Sequence, residues 1–277
     1  MTATVGEGTG SAGQPVLSLR GVSKSFGAVL ALSDIHLEVH AGEVVALVGD
    51  NGAGKSTLVK ILSGVHQPDS GEFSIDGRPV SIDSPAAALE MGIATVFQDL
   101  ALCENLDVVA NLFLGREVRP RRLNEVEMET RAWQLLGELS ARIPSVRVPI
   151  ASLSGGQRQT VAIARSLLIS PRLIMLDEPT AALGVAQTAE VLDLIDRVRE
   201  RGLGVIVVSH NMEDVRAVAD TIEVLRLGRN NGRFGPEVSS NELVAAITGA
   251  EDNSVSRRSA RRATASASPD RPDQGGM

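Results

Sequence analysis

A glycine-rich loop that contains a lysine and a serine follows an apolar run of the sequence. The loop covers residues 49–57 and has the sequence GDNGAGKST. Gly49, Gly54, Lys55 and Ser56 match the pattern G-x-x-x-x-G-K-[S/T] in the strand–loop–helix context that a phosphate-binding loop requires. Glycines let backbone N–H groups point into a concavity that holds phosphate oxygens, and the lysine reaches the β- and γ-phosphates. A glycine-rich turn with a chance lysine is the alternative, and the buried strand and apolar helix on either side argue against it.

Every residue of this loop is predicted to help hold a nucleotide. The helix that begins near Lys55 adds the positive end of its dipole to the site. The hydroxyl of Ser56 is a candidate ligand of Mg²⁺. The predicted nucleotide contacts in the loop are Gly49, Asp50, Asn51, Gly52, Ala53, Gly54, Lys55, Ser56 and Thr57.

Two adjacent carboxylates end a second apolar run, LIMLDEPT, at residues 173–180. Asp177 stands at the predicted carboxyl end of a buried strand, where α/β folds place ligand groups. We expect Asp177 to hold Mg²⁺ through water, and Glu178 to polarise the attacking water as a general base. A helix N-cap pair before Pro179 is the structural alternative, and it is weakened by the presence of the phosphate loop.

A third stretch distinguishes this chain from the kinases, helicases and GTPases that share the phosphate loop. It is LSGGQRQTVAIARSLL, from Leu153, and the guanine-reading pattern N-K-x-D does not occur in the chain. Ser154 and Gln157 also fit a capping box, so an ordinary helix start is the alternative. Two successive glycines are poor cap material unless the backbone approaches something closely. A second anion site in a chain that already has one predicts a γ-phosphate presented by a different molecule.

The apolar patterns around these stretches predict strands that alternate with helices, which indicates a largely parallel α/β sheet. A length of 277 residues, with 43% hydrophobic residues, suits one such domain with an inserted lobe. The predicted strands lie within residues 16–26, 31–40, 43–49, 66–80, 92–98, 172–180, 204–210 and 221–234. The predicted helices cover residues 55–64, about 99–165, about 186–201 and 212–220.

Charge and composition argue against a nucleic acid as the main partner. The net charge is −7, and only 2% of the residues are aromatic, which leaves few rings for base stacking. The one cysteine, Cys103, excludes an intramolecular disulfide and fits a reducing compartment. It is interpreted as a packing residue, with a reactive thiol as the alternative. No window approaches about 20 consecutive apolar residues, so we expect a cytoplasmic chain that reaches a membrane only through a partner.

The two ends of the chain differ in composition from the rest. Residues 1–14 are rich in Gly, Ser and Thr and predict a flexible lead. Residues 251–277 lack apolar periodicity and predict a disordered tail. The arginine pairs in this tail are interpreted as solvated, with contact to acidic lipid or nucleic acid as the alternative. The domain that carries the chemistry is therefore predicted over residues 15–250, with a helical lobe over about 99–165.

The motifs GDNGAGKST, LSGGQRQ, LIMLDEPT and VVSH occur in the order and context of ATP-binding-cassette ATPase domains, and the resemblance covers about residues 16–249. It implies an α/β fold with a P-loop NTPase core, an antiparallel β part and an inserted helical lobe. It also implies ATP hydrolysis, with ATP and Mg²⁺ as cofactors. Two such domains would lie head to tail, with each ATP between one P-loop and the opposing signature. The signature residues expected to contact ATP are Ser154, Gly155, Gly156 and Gln157.

Three further positions match the family. Gln98 resembles the loop glutamine that senses Mg²⁺ and the γ-phosphate, and His210 the switch histidine that contacts the γ-phosphate. Phe26 resembles the aromatic residue that stacks on adenine; alone, these three would be an exposed glutamine, a satisfied histidine and a core phenylalanine. Gly184 lies near the place where many members have an aspartate that crosses to the partner subunit, which puts that contact in doubt. The implied catalytic residues are Lys55, Gln98, Glu178 and His210, and the implied metal ligands are Ser56, Gln98 and Asp177.

The stretches around the phosphate loop and after Gln98 resemble the sugar-import branch of the family, which serves monosaccharides such as ribose, xylose, fructose or galactose. One phosphate loop and one signature resemble its single-cassette members, which implies pairing with a second copy. The other implied partners are a membrane permease, docked near residues 106–114, and indirectly a sugar-binding protein, which places the chain on the inner face of the cell membrane. An ATPase for another small solute and a non-transport cassette protein of DNA repair or translation are the alternatives. The sequence does not identify the sugar, because the ATPase does not touch it.

Overall fold

The computed structural model of the chain describes residues 13–118 and 123–249. The predicted tail over residues 251–277 lies outside this part, as do residues 1–12 of the predicted lead and residues 119–122 of the predicted lobe. The strands are β1 (Leu17–Phe26), β2 (Val29–Val39), β3 (Val44–Val48), β4 (Ser70–Ile75), β5 (Arg78–Val80), β6 (Ile93–Val96), β7 (Leu173–Asp177), β8 (Gly204–Val208), β9 (Thr221–Arg226) and β10 (Arg229–Phe234). The helices are α1 (Lys55–Leu62), α2 (Pro85–Glu90), α3 (Val108–Phe113), α4 (Glu125–Glu138), α5 (Gly155–Leu167), α6 (Val185–Glu200), α7 (Met212–Val218) and α8 (Ser240–Thr248).

The central sheet has six strands in the order β10-β9-β3-β8-β7-β6. All neighbours are parallel except β9 and β10, which form an antiparallel hairpin. Every residue of β3 and β8 is buried, as expected for parallel strands that are covered on both faces. The prediction of a largely parallel α/β sheet is confirmed, and the carboxyl ends of β3, β6, β7 and β8 lie along one edge of it.

A second sheet is antiparallel throughout, in the order β2-β1-β4-β5. The register of β1 shifts between Leu19 and Val22, where Gly21 has a φ of +65°. The antiparallel part that the family resemblance implied is therefore present. The short strand β5 was not predicted, because its few residues include Pro79 and show no alternation.

The predicted helical segment at residues 99–165 is helical only in part. Helices α3, α4 and α5 lie in it, but residues 99–107 and 139–149 are turns and loops. An isolated bridge between Asp107 and Pro149 joins these two loops. The continuous prediction was wrong there because apolar residues of a packed loop can mimic a helical period over a few residues.

Helices α2 and α8 were not predicted from the sequence. Each fully buries one side chain, Ala88 in α2 and Leu243 in α8. Ala246 and Ile247 pack half-buried beside Leu243, so α8 has a short apolar stripe that the sequence prediction missed. Their N-caps are serines, Ser84 and Ser239, which accept hydrogen bonds from the first turn. Within residues 13–118 and 123–249, no helix combines the length and the hydrophobicity needed to cross a membrane.

The central sheet carries an apolar core on each face. Alternation along β7 supplies both cores, with Ile174 and Leu176 on one face and Leu173 and Met175 on the other. The first face packs against α3, α4, α5 and α6, so the helices of the predicted lobe share a core with the sheet. The second face packs against α1 and the antiparallel sheet through side chains such as Leu58. Apolar packing thus occupies both faces of β7, and the polar residue of this strand, Asp177, lies at its carboxyl end.

Asn111 of α3 closes the loop that leads from β6 into these helices. Its side chain is fully buried and accepts a hydrogen bond from the Cys103 N–H at 2.7 Å. It also donates to the carbonyl oxygens of Cys103 at 3.0 Å and Asp107 at 2.9 Å. One amide thus satisfies several backbone groups that lie away from water, and it holds the half-buried Cys103 in this loop.

Replacing Asn111 with alanine should lower the free energy of unfolding by about 3 kcal/mol, because buried backbone groups would lose their partners. Urea denaturation followed by circular dichroism measures the change. Asn231→Ala is the matched control, since this exposed asparagine makes a surface bond to the Ala246 carbonyl and should change stability by about 0.5 kcal/mol or less. Equal losses in the two variants would contradict the role of Asn111.

Candidate functional site

The glycine-rich loop joins the carboxyl end of β3 to the start of α1. Gly49 and Gly54 have φ values of +151° and +106°, a region that favours glycine. A Cβ at Gly49 would overlap the Leu225 carbonyl oxygen, and one at Gly54 would lie 2.6 Å from Leu32 Cδ2. Backbone conformation and close packing therefore both require glycine at these two positions.

Lys55 begins α1 and is only 9% exposed. Its ammonium donates to the carbonyl oxygens of Gly49 at 2.6 Å and Asp50 at 3.0 Å. Burial lowers the pKa of the lysine, and three nearby carboxylates oppose that shift: Glu178, Asp50 and Asp177. The structure thus brings the lysine of the phosphate loop together with the carboxylate pair, although the two motifs are far apart in the sequence.

The other loop residues differ in how far they can reach a ligand. Ser56 is exposed on the first turn of α1, so its hydroxyl is accessible, and Ala53 is buried beneath the loop. The remaining predicted contacts are exposed at Asp50, Asn51 and Gly52, and half-buried at Thr57. The accessible groups of the loop therefore include the Ser56 hydroxyl, the polar side chains of Asp50 and Asn51, and the backbone of Gly52.

The carboxylate pair lies at the end of β7, and a histidine contacts it. Burial raises the pKa of Asp177, and the neighbouring Glu178 raises it further. Glu178 Oε2 lies 2.9 Å from Nδ1 of His210, whose side chain is 74% exposed against 17% for the glutamate. His210 follows β8, the parallel neighbour of β7, so two adjacent strand ends bring this pair together. The predicted base and the predicted switch histidine are in direct contact.

Gln98 faces the same region from the end of β6. It is exposed and lines an open cavity of about 420 Å³ together with Glu178 and Gly155. Residues 181–183 also line this cavity. The cavity therefore connects three of the predicted site residues, which belong to separate motifs.

Ser154 and Gln157 form a capping box at the start of α5. The Gln157 N–H donates to Ser154 Oγ at 3.2 Å, and the Ser154 N–H donates to Gln157 Oε1 at 3.0 Å. Gln157 Nε2 also donates to the Arg142 carbonyl at 2.9 Å. The cap that the sequence offered as an alternative is thus present, and it leaves a nucleotide role for Ser154 as a separate question.

The two signature glycines lie against the start of α6. A Cβ at Gly155 would lie 2.8 Å from Leu183 Cδ2, and one at Gly156 would lie 3.1 Å from Gln187 Cβ. From the sequence, both glycines are expected to allow a ligand to approach the backbone closely. The structure adds a reason within the chain, because a Cβ at Gly155 would require the Leu183 side chain to move, and one at Gly156 would press against Gln187.

Phe26 ends β1 and is 44% exposed, so the core interpretation of this residue is wrong. The edge of His66 contacts it, with ring centroids 5.2 Å apart, and Lys24 Nζ lies 5.5 Å from its centroid. Asp69 accepts hydrogen bonds from Lys24 Nζ at 2.7 Å and from the Ser25 N–H at 2.6 Å. The sequence did not indicate that Lys24 and Asp69 hold this ring, because each is an ordinary polar residue until the fold pairs them.

Gly184 is the N-cap residue of α6. Its φ of −77° suits any residue, and a Cβ there would meet no atom within 4 Å. An aspartate could therefore occupy this position without strain. The glycine leaves α6 without a side-chain cap and supplies no carboxylate at this position.

The fold and these residues define the class of the protein. A parallel sheet carries a glycine-rich loop, a buried lysine and a carboxylate pair at its strand ends, which is the arrangement of a P-loop nucleotide-binding domain. The family model described as ABC transporter matches residues 32–181. The chain belongs to this family, which confirms the resemblance seen in its motifs and makes ATP the nucleotide of the site.

Curated relatives match over most of this chain. XylG from Sulfolobus acidocaldarius, a xylose/arabinose import ATP-binding protein, is 47% identical over 77% of this chain and 86% of its own length. FrcA from Rhizobium meliloti, a fructose import ATP-binding protein, is 42% identical over 86% of this chain and 96% of its own length. RbsA 1 from Rubrobacter xylanophilus, a ribose import ATP-binding protein, is 41% identical over 91% of this chain, which spans 50% of that relative.

Solved structures share the fold. CbiO1 from Clostridium perfringens, part of the ABC transporter complex CbiONQ, is 27% identical with a TM-score of 0.72, and the match covers 91% of this chain and 97% of that one. An ATP-binding cassette solved as a dimer in a post-hydrolysis state with ADP and Pi is 29% identical with a TM-score of 0.68. That match covers 80% of this chain and 100% of the other.

Gly155→Ala should reduce ATP turnover at least about tenfold, and the added variant Leu183→Ala should not restore it. Leu183→Ala removes the intrachain clash, whereas the approach of a phosphate held by a second copy would still be blocked. Turnover is measured by phosphate release, with Leu183→Ala alone as the control. Recovery in the double variant would mean that the glycine serves only the packing of α5 on α6.

Proposed function

We propose that this protein is the ATP-hydrolysing subunit that supplies energy to an importer of a simple sugar of the ribose, xylose, fructose or galactose type. The observation that carries the proposal is the match to sugar-import ATP-binding proteins over most of the chain, at up to 47% identity. The exposed strand ends hold the groups that ATP hydrolysis needs: a phosphate loop, a lysine and a carboxylate beside a histidine.

The donor set at the strand ends fits Mg²⁺, which prefers oxygen ligands. Asp177 supplies a half-buried carboxylate, Ser56 an exposed hydroxyl and Gln98 an exposed amide. Burial and the adjacent Glu178 raise the pKa of Asp177, so a cation beside this carboxylate would favour its charged form. Bound with ATP, the metal would offset charge on the phosphates.

Glu178 and His210 are proposed to carry the hydrolytic step. The Glu178 carboxylate accepts the proton of the attacking water or orients that water, as a general base does. His210 contacts this carboxylate at 2.9 Å and has an exposed ring that can also reach the γ-phosphate. Lys55 is proposed to contact the β- and γ-phosphates, exchanging its present bonds to the loop carbonyls for bonds to phosphate oxygens. Phe26, with its exposed ring, is proposed to stack on the adenine.

A second copy of the chain is the proposed partner at the signature. The phosphate loop and Glu178 belong to one half of each site, and Ser154, Gly155, Gly156 and Gln157 of the other copy would cover the γ-phosphate. The dimeric cassette with ADP and Pi that shares this fold supports such an arrangement. ATP would then stabilise the dimer, because it binds between the two copies.

A groove between the helical lobe and the central sheet is the proposed docking site for the permease. It has a volume of about 300 Å³, with Leu112 in its wall and the exposed side chains of Phe97 and Leu114 beside it. Arg116 and Arg165 also line it, so an apolar permease segment with an acidic residue would fit. Most of the predicted stretch 106–114 packs inward, and the exposed part is at its end. Such docking would hold the chain on the inner face of the membrane.

Glu178→Gln should lower ATP turnover by about a hundredfold or more, because it keeps the shape of the side chain but removes the base. ATP should still bind, so a dimer should accumulate with ATP and disappear without it in sedimentation velocity runs. Glu190→Gln, on the exposed face of α6, removes the same charge away from the site and should leave turnover unchanged. Full turnover in Glu178→Gln would contradict the proposed base, and a monomer with ATP would contradict the shared site.

The transport function is tested with the chain purified from its own cell membranes through an affinity tag. We expect an integral membrane permease to co-purify. Proteoliposomes of that complex, given ATP and the binding protein, should accumulate radiolabelled xylose, fructose, ribose or galactose. Lys55→Ala is the control, since loss of the phosphate-facing cation should abolish uptake. Uptake of an unrelated solute would favour an ATPase that serves another small solute. Co-purification of a DNA-repair or ribosomal complex would favour a cassette protein that has no transport function.

A further inference from the structure

A hydrogen bond lies close to the contact between Glu178 and His210 and joins the same two segments of chain. The Thr180 hydroxyl donates to Asp214 Oδ2 at 2.6 Å. Thr180 follows Glu178 after one proline, and Asp214 is a buried residue of α7, the helix that begins just after His210. The two contacts therefore connect the same two segments of chain, one after β7 and one after β8.

The segment after β7 needs support from its surroundings. Glu178 has a φ of +51°, in the left-handed region that side chains disfavour. Such a conformation persists only where neighbouring groups hold it. The Glu178 N–H donates to the Val208 carbonyl at 2.9 Å, which holds one side of the residue. The bond from Thr180 to Asp214 holds the chain on the other side of Pro179.

Hydrogen bonds within the segment after β8 hold its residues together. The Asn211 N–H donates to Oγ of the buried Ser209 at 3.0 Å, and the Asn211 side chain accepts from the Glu213 N–H at 3.0 Å. These bonds join the turn that carries His210 to the first turn of α7. Asp214 and His210 are therefore joined by these hydrogen bonds, and a displacement of Asp214 is expected to displace His210 as well.

We propose that Thr180 and Asp214 are positioning residues for ATP hydrolysis. Their hydrogen bond closes a ring with the contact between Glu178 and His210, and this ring sets the glutamate carboxylate relative to the histidine. A bond to a carboxylate is among the stronger hydrogen bonds, and a displacement of about 1 Å in a catalytic group can cost about a hundredfold in rate. The inference rests on the proposed role of Glu178.

Thr180→Val tests the inference, because valine has the shape of threonine without its hydroxyl. We expect kcat for ATP hydrolysis to fall about tenfold through misplacement of the carboxylate. KM for ATP should stay within about twofold, since the phosphate loop is untouched. Thr180→Ser, which keeps the hydroxyl, should restore kcat to within about twofold of the original chain.

Thr221→Val is the matched control. The Thr221 hydroxyl also donates to a carboxylate, Glu43 Oε1, at 2.8 Å, but on β9 and among residues that have no proposed catalytic role. Its loss should leave kcat unchanged, while thermal unfolding should shift about as much as in Thr180→Val. Should Thr180→Val fail to fold, Asp214→Ala breaks the same bond from the other side and is expected to give the same fall in kcat.

Glu178→Gln, measured in the same assay, separates two kinds of failure. If it is inactive and Thr180→Val has the kcat of the control, the positioning role is overturned and the proposed function stands. An equal fall of kcat in Thr221→Val, or a Thr180→Val defect confined to KM, also overturns it. If Glu178→Gln is fully active, the proposed base itself is wrong.

Discussion

The buried ammonium of Lys55 is the constraint on which the rest of the site depends. A cation that has left water must find oxygen atoms nearby, or its burial is costly. Here the carbonyls of Gly49 and Asp50 lie against it, and the carboxylates of Glu178, Asp50 and Asp177 act from further away. Phosphate oxygens offer the same kind of partner with more negative charge. On the proposed function, phosphate oxygens would replace the loop carbonyls as the partners of this lysine.

The parallel sheet determines which other groups surround this cation. Carboxyl ends of parallel strands lie at one edge of a sheet, and β3, β6, β7 and β8 all end at the same edge. The phosphate loop follows β3, Gln98 follows β6, the carboxylate pair ends β7, and His210 follows β8. Motifs that are separated by long stretches of chain thus meet without any loop having to reach across the molecule.

Helix packing connects this edge to the signature. The segment after Glu178 leads through residues 181–183 into α6, whose start lies against Gly155 and Gly156. The signature is therefore in mechanical contact with the carboxylate segment of its own chain, while its proposed ligand belongs to a second copy. The lobe helices share an apolar core with the sheet. A shift of the carboxylate segment would therefore change the packing of the lobe helices as well as that of the sheet.

The sequence by itself determined the phosphate loop, the carboxylate pair and the largely parallel sheet, because each depends on a local pattern of glycines, charges or apolar runs. It did not indicate the bond of Thr180 to Asp214, and it mistook the loops at residues 99–107 and 139–149 for helix. Without the motif resemblance, Phe26 was expected in the core, whereas its ring is exposed. Those features depend on which distant segments become neighbours. Only the tertiary structure decided them, because burial and pairing are properties of two segments together and no single stretch of sequence contains both.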